Sequence, residues 1–237
     1  MKSICSIIIS VIISLSANAQ NTTDIGLEHG LMWQGHYKLA LELLLKKQKA
    51  DSTNYEIKSA IIFCYYQLGE VQKSDSLLNS HLKGNEKNPH LNSIKGIILI
   101  YQGNYKEASK YLEKAYHELP NDHNILYNLA LSYDKQRKFK KAIKYYSLNT
   151  GDGVRNFDNR GRCYMLIGDY DNALKDFNYG ITKEPENINL LTNRATLYMK
   201  MKKYDLALLD IEKTLAIDHA NAYALRLKAH ITNENRE

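Results

Sequence analysis

Few residues in this 237-residue chain are of the kinds that staple, kink or ligate. It has three cysteines, three prolines and one tryptophan. Three cysteines cannot build the disulfide framework of a small secreted scaffold. None stands at a paired zinc spacing with another cysteine or with any of the eight histidines, so neither a structural metal nor any other cofactor is expected. Scarce proline leaves long stretches in which nothing interrupts a helix. A Walker loop, a nucleophile elbow and a dinucleotide fingerprint are absent. Gly151 and Gly153 come nearest to a phosphate loop, but they lack its lysine-serine ending and the preceding strand. Charge of one sign is missing too: 32 basic residues face 26 acidic ones, for a net +6, with the signs mixed along the chain. That balance does not mark a nucleic-acid binder. The lysine-rich segment from Lys135 to Lys144 reads as a solvated helix face. Nothing here assembles a catalytic constellation, and no enzyme activity is expected.

Long apolar runs are also missing, with one exception at the start. Lys2 precedes an apolar run from Ile4 to Leu15, followed by Ala17-Asn18-Ala19. This is the layout of a secretory signal peptide with a small-residue cleavage site. Residues 1–19 are therefore expected to be removed, leaving an exported protein, periplasmic or secreted. No later segment reaches the length that an apolar membrane helix needs, so no integral span is expected after cleavage.

What the chain does have is a period. The stretch from Asn159 to Pro185 contains two helical patterns joined at Gly168-Asp169-Tyr170. Small residues fall where the two helices must touch, at Gly161, Ala173 and Gly180, with Tyr164, Tyr170 and Phe177 beside them. With Gly161 set as position eight, frames open at Asn21, Tyr55, Pro89, His123, Val154 and Ile188, and a half-frame opens at Ala222. Position twenty then holds Ala40, Ser74, Ala108, Ala142, Ala173 and Ala207, all small, as helix axes about 8–10 Å apart require. Position fifteen holds the turn glycines Gly35, Gly69, Gly103 and Gly168. All three prolines lie at frame junctions.

This pattern resembles the tetratricopeptide repeat family, whose units of 34 residues are pairs of antiparallel helices. The resemblance implies an all-α, right-handed superhelical solenoid of about six helix-turn-helix repeats over residues 20–231, closed by a capping helix. Residues 232–237 are expected to form a disordered tail. In the cap, Leu225, Ala229 and Ile231 are expected inward. The first repeat departs most from the pattern: Glu28 and Lys47 stand where small residues belong. The fifth frame opens 31 residues after the fourth, a deletion that falls in the loop around Gly151 and Gly153. Arg160 and Arg194 share position seven, and Asp176 and Asp210 share position twenty-three, which predicts an Arg–Asp pair inside repeats five and six. Cys64 and Cys163 both fall at position ten, three repeats apart, too far for a disulfide and suited to burial.

In the resembling family, partners lie in a concave groove lined by the first helix of each repeat, at positions two, five, nine, twelve and thirteen. Mapped here, one half of the groove is apolar, with Trp33, Phe63, Tyr66, Ile97, Ile100 and Tyr101. The other half is polar and largely basic, with Lys135, Arg155, Asp158, Arg162 and Lys200. Asn128, Asn159 and Asn193 share position six, from which asparagine in similar repeats bonds a peptide backbone. A family clamp for carboxylates needs lysine at position five and asparagine at position nine of one repeat, and no repeat here carries it. The resemblance therefore implies a protein-interaction scaffold that docks a peptide or helix in its groove. The alternatives are a structural subunit of an envelope assembly that uses convex or edge surfaces, and an accessory domain to an enzyme.

Overall fold

The structure, a computed structural model, describes residues 24–151 and 153–234. The expected signal peptide lies outside them. The described residues form thirteen α-helices and no strand. These are α1 (Gly26–Trp33), α2 (Tyr37–Ala50), α3 (Tyr55–Gln67), α4 (Val71–Leu82), α5 (Pro89–Tyr101), α6 (Tyr105–Glu118) and α7 (His123–Lys135). They continue as α8 (Phe139–Leu148), α9 (Val154–Leu166), α10 (Tyr170–Lys183), α11 (Ile188–Lys200), α12 (Tyr204–Ile217) and α13 (Ala222–Glu234). Contacts divide the chain into two compact units, one running to Ile98 and the other starting at Leu99, with the boundary inside α5.

The first helix of nearly every repeat starts on the same device. Asn54, Asn88, Asp122, Asn187 and Asn221 each precede a frame, and their side-chain oxygens accept backbone N–H groups of the first turn at 2.9–3.2 Å. These groups have no partner inside the helix, so the cap stabilises its start by about 1 kcal/mol. The exceptions are Ile25 before α1 and Gly153 before α9, the latter at the shortened spacing. Before α9 the junction is tied differently, without a side-chain cap: the buried amide of Asn156 donates to the carbonyls of Tyr146 (3.0 Å) and Asn149 (3.3 Å) at the end of α8. The turn between the two helices of a repeat is equally regular. Gly35, Gly69, Gly103 and Gly168 have φ between 77° and 83°, and the residues at the same position in repeats four and six, Arg137 and Lys202, have φ of 60° and 57°.

The position-twenty column is fully buried: Ala40, Ser74, Ala108, Ala142, Ala173 and Ala207 are each 0 % exposed. Within the first unit, Ala40 lies in a core with Leu31, Leu44, Ile57 and Cys64. A second cluster joins Ile62, Leu78, Leu91, Ile94 and Ile98. Within the second unit, Ala108 and Ala142 join Leu112, Leu129 and Tyr146, while Ala173 and Ala207 sit in further clusters around Phe177 and Ile211. A Cβ on Gly161 would lie 2.7 Å from the Phe177 ring, and one on Gly180 would lie 2.8 Å from Leu190 of the next repeat. Position eight thus touches the second helix of its own repeat, whereas position twenty-seven touches the first helix of the next. Both cysteines are buried free thiols, and burial pushes the Cys64 thiol up to about 12.

The departures in repeat one compensate each other. Glu28 is 1 % exposed, and Lys47 Nζ reaches its Oε1 at 2.9 Å and Oε2 at 3.0 Å while also donating to the carbonyl of Asp24. A charge without a partner there would be costly; two, joined by hydrogen bonds, fill the space of two small residues.

Two expectations for the last helix are corrected. Leu225 and Ala229 are exposed, and Ala224, Leu227 and Ile231 face the core instead. Leu225 and Ala229 occupy positions four and eight, which in full repeats are covered by the repeat's own second helix; a single helix has none. Positions three and ten face the preceding repeat, and there Ala224 and Ile231 are buried. The helix also runs to Glu234, so Thr232 to Glu234, expected in a disordered tail, are helical. Residues 235–237 lie outside the described residues.

The expected Arg–Asp pairs are present and bidentate. Arg160 meets Asp176 at 2.8 and 2.6 Å, and Arg194 meets Asp210 at 2.8 and 2.7 Å. Each arginine also reaches back to position twenty-five of the preceding repeat: Arg160 to Ser147 Oγ at 3.3 Å and Arg194 to Asn178 Oδ1 at 2.7 Å. Hydrogen bonding to the carboxylate raises both guanidinium pKa values, against the opposing effect of burial. Asp176→Ala should therefore destabilise the fold by about 3 kcal/mol in a denaturant titration, while Arg160→Met combined with Asp176→Leu should recover most of that loss. At the turns, Arg137→Gly and Lys202→Gly should each stabilise by about 0.5–1 kcal/mol, because glycine removes the left-handed strain at some entropic cost. A lowered unfolding midpoint for either glycine variant would contradict that account.

Candidate protein-binding face

The expected groove residues sit on first helices in both units, and each unit is a separate case. In the first unit, Phe63 and Tyr66 of α3 and Ile97 of α5 are half-buried and pack against the cluster around Leu78 and Leu91. Phe63 also meets the Tyr37 ring edge-on at 6.1 Å between centroids. Part of each apolar side chain therefore holds the fold, and the rest is open to solvent. Trp33, at the end of α1, is 79 % exposed.

In the second unit, Ile100 packs against the cluster around Leu129, and Tyr101 is 60 % exposed. The first helices α7, α9, α11 and α13 touch in succession and so share one face. Across it runs a polar network that repeats with the frame. Asn159 donates to the Tyr127 hydroxyl at 3.1 Å, and Asn193 donates to Asp158 Oδ1 at 2.6 Å. Both bonds join position six of one repeat to position five of the repeat before. Asn128 instead donates to the carbonyl of Asn124 in its own helix, at 2.8 Å. Asn159 is buried, and its oxygen also accepts from Arg162 Nη1 at 3.0 Å. Asn193 is half-buried.

Arg162 connects this network to a buried carboxylate. Its Nη2 lies 3.6 Å from Asp134 Oδ2, which makes no hydrogen bond among the described residues. Asp134 is 5 % exposed and also lies beside the Cys163 thiol, whose pKa rises through burial first and the Asp134 charge second. Burial pushes the Asp158 carboxyl up, opposed by the Asn193 hydrogen bond and the Arg162 charge. Lys135, Arg155 and Lys200 are exposed, as expected for a basic rim. Asp134 and Tyr127 were not among the expected site residues, although they occupy groove positions twelve and five. The face is thus less uniformly basic than its exposed residues: beneath them lie two carboxylates, with Arg162 between. Among the described residues no group of histidine, cysteine and carboxylate side chains is placed to hold a metal ion. None of the described helices is long and apolar enough to cross a membrane.

This arrangement of capped helix pairs is that of the tetratricopeptide-repeat solenoids. The tetratricopeptide repeat family model matches residues 99–148. A curated relative, the TPR repeat-containing protein MJ1428 of Methanocaldococcus jannaschii, is 26 % identical over 155 residues. That match covers 64 % of this chain but only 27 % of the relative, so the chain spans about a quarter of that protein's length. Among solved structures, YrrB, described as a TPR protein with an unusual peptide-binding site, superposes with a TM-score of 0.68 at 18 % identity. The superposition covers 78 % of this chain and 97 % of YrrB. Pseudomonas aeruginosa PilF superposes with a TM-score of 0.70 at 18 % identity, covering 87 % of this chain and 95 % of PilF. These likenesses establish the solenoid fold and support the repeat family.

Proposed function

We propose that this protein is an exported scaffold that docks a partner segment on the first-helix faces of its repeats, without bond chemistry. The observation that carries the reading is the half-exposure of side chains at the groove positions. Phe63, Tyr66 and Ile97 in one unit, and Arg162 and Asn193 in the other, are held in place by the fold yet keep surface toward solvent. Held side chains lose less entropy on binding than free ones. The peptide-binding site described for YrrB supports the same use of this fold. An apolar segment suits Phe63, Tyr66 and Ile97, and an acidic segment suits the rim of Lys135, Arg155 and Lys200. Export rests on the layout of residues 1–19.

Photo-crosslinkers placed at Tyr66 and at Lys200 should capture one protein in the native cell, whereas one at Lys175 on a second helix should not. Phe63→Ala with Tyr66→Ala should then weaken that capture at least tenfold, since buried aromatic anchors contribute about 2 kcal/mol or more. Capture from Lys175 alone, or binding unchanged in a folded double variant, would remove the first-helix reading. Growth-phase fractionation with an antibody to the chain tests export separately: retention in the cytoplasm would contradict it.

A further inference from the structure

The lysine-rich segment that the sequence presents as a mere solvated face has a more particular construction. Lys138, Lys141 and Lys144 recur every three residues from the N-cap of α8 into the helix, and Lys114 stands on α6. All four, with Lys140, are exposed. None of these five lysines has a carboxylate within 4.0 Å among the described residues; the one ion pair on α6 that involves lysine joins Lys110 to Glu107. The ammonium groups of four of them lie over tyrosine rings instead, and Lys138 also donates to Gln136 Oε1 at 2.9 Å. Lys141 and Lys138 are 4.9 and 5.8 Å from the centroid of Tyr133, and Lys144 is 5.2 Å from that of Tyr145. Lys114 is 5.1 Å from that of Tyr111. Tyr133 and Tyr145 stack at 5.8 Å, and Tyr116 of α6 meets Tyr145 edge-on at 5.4 Å, which joins the two helices into one surface. Helix α6 also carries Glu107, paired with Lys110, Glu113, which accepts the Tyr133 hydroxyl, and Glu118, beside His117; none of the three is within 4.0 Å of these five lysines.

We infer that this surface of α6 and α8 docks on an anionic phospholipid bilayer. Five unneutralised lysines fall in the range of basic clusters that recognise anionic lipid. Lysine reads charge as a point, without the planar geometry by which arginine selects one carboxylate or phosphate, so the surface suits a diffuse layer of headgroups. Nucleic acid fits less well, because Tyr133 and Tyr145 are buried and cannot stack on bases. Leu148, 45 % exposed one turn beyond Lys144, adds an apolar contact at the interface. Long lysine side chains can hold an ammonium against a ring while leaving it within reach of headgroups, an arrangement favoured where protein meets the membrane surface.

The test uses the full chain and vesicles of phosphatidylcholine with or without phosphatidylglycerol. The neutral vesicles register whatever the apolar run from Ile4 to Leu15 contributes, so the excess on phosphatidylglycerol is the quantity of interest. That excess should vanish near 1 M salt, where the screening length is about 3 Å. Lys138→Gln, Lys141→Gln and Lys144→Gln together should reduce it on the order of 100-fold, while the same change at Lys175, Lys183 and Lys213 should leave most of it. Amine labelling of the wild-type chain on vesicles should show Lys138, Lys141 and Lys144 protected, a readout that needs no variant to fold. Equal binding to both vesicles, equal losses in the two triple variants, or no protection would overturn the inference. So would stronger binding of duplex DNA or polyglutamate than of the vesicles at matched charge.

Discussion

The structure depends on how closely two helices can approach at one point per repeat. Among the described residues there is no disulfide and no group placed to hold a metal, so the helices are held by contact, and contact between helices is limited by the bulk at their crossing. Six fully buried small residues at position twenty meet that limit. The large residues around them, such as Leu44, Leu112 and Phe177, then fill the space on either side. Gly161 and Gly180 carry the constraint further, since either would collide with a neighbouring side chain if it bore a Cβ. One of these contacts closes a repeat and the other joins it to the next. The same atoms that form the hairpin therefore also set the stacking.

A second pattern, polar rather than apolar, is laid over the first. Arginine at position seven grips aspartate at twenty-three and reaches position twenty-five of the repeat before. Asn159 and Asn193 at position six bond position five of the repeat before. Asparagine or aspartate at the junction caps the next first helix. Asp176, Asp210 and Asn159 are buried and would be costly alone, whereas Ser147 and Asn178 at the far end of the arginine links are exposed. In repeats five and six the partner stands at a fixed offset in the frame and satisfies them.

How much of this was legible depended on whether both members of an interaction could be seen to vary together. The Arg–Asp pairs were legible because both residues are present in repeats five and six and both are absent from repeat four. Glu28 and Lys47 were not, because each was measured against the small residue it replaces rather than against the other. The partners of Asn159 and Asn193 were hidden for another reason. Position five holds no constant residue across the frames, so Tyr127 and Asp158 one repeat earlier carry no sequence signal as partners. The phase of α13 was misjudged because a lone helix lacks the second helix that decides which of its faces is covered. The capping residues at the junctions were in plain view, at a spacing of one frame, but the apolar positions alone were used to set that frame.

The contrast between repeat four and its successors links the polar pattern to the surface. In repeats five and six the arginine charge is turned inward and neutralised by aspartate, so the outer face gains no net charge from it. In repeat four the same two positions hold Leu129 and Tyr145, and the space is filled by stacked rings. A ring can hold a cation over its face but cannot neutralise it. Lys138, Lys141 and Lys144 are accordingly ordered by the tyrosines while their charge stays available outside. Exchanging an ion pair for an aromatic core thus leaves the hairpin intact and converts its outer face from balanced to basic. The first helices are untouched by that exchange, so the proposed docking face and the charged face would lie on different helices of the same repeat.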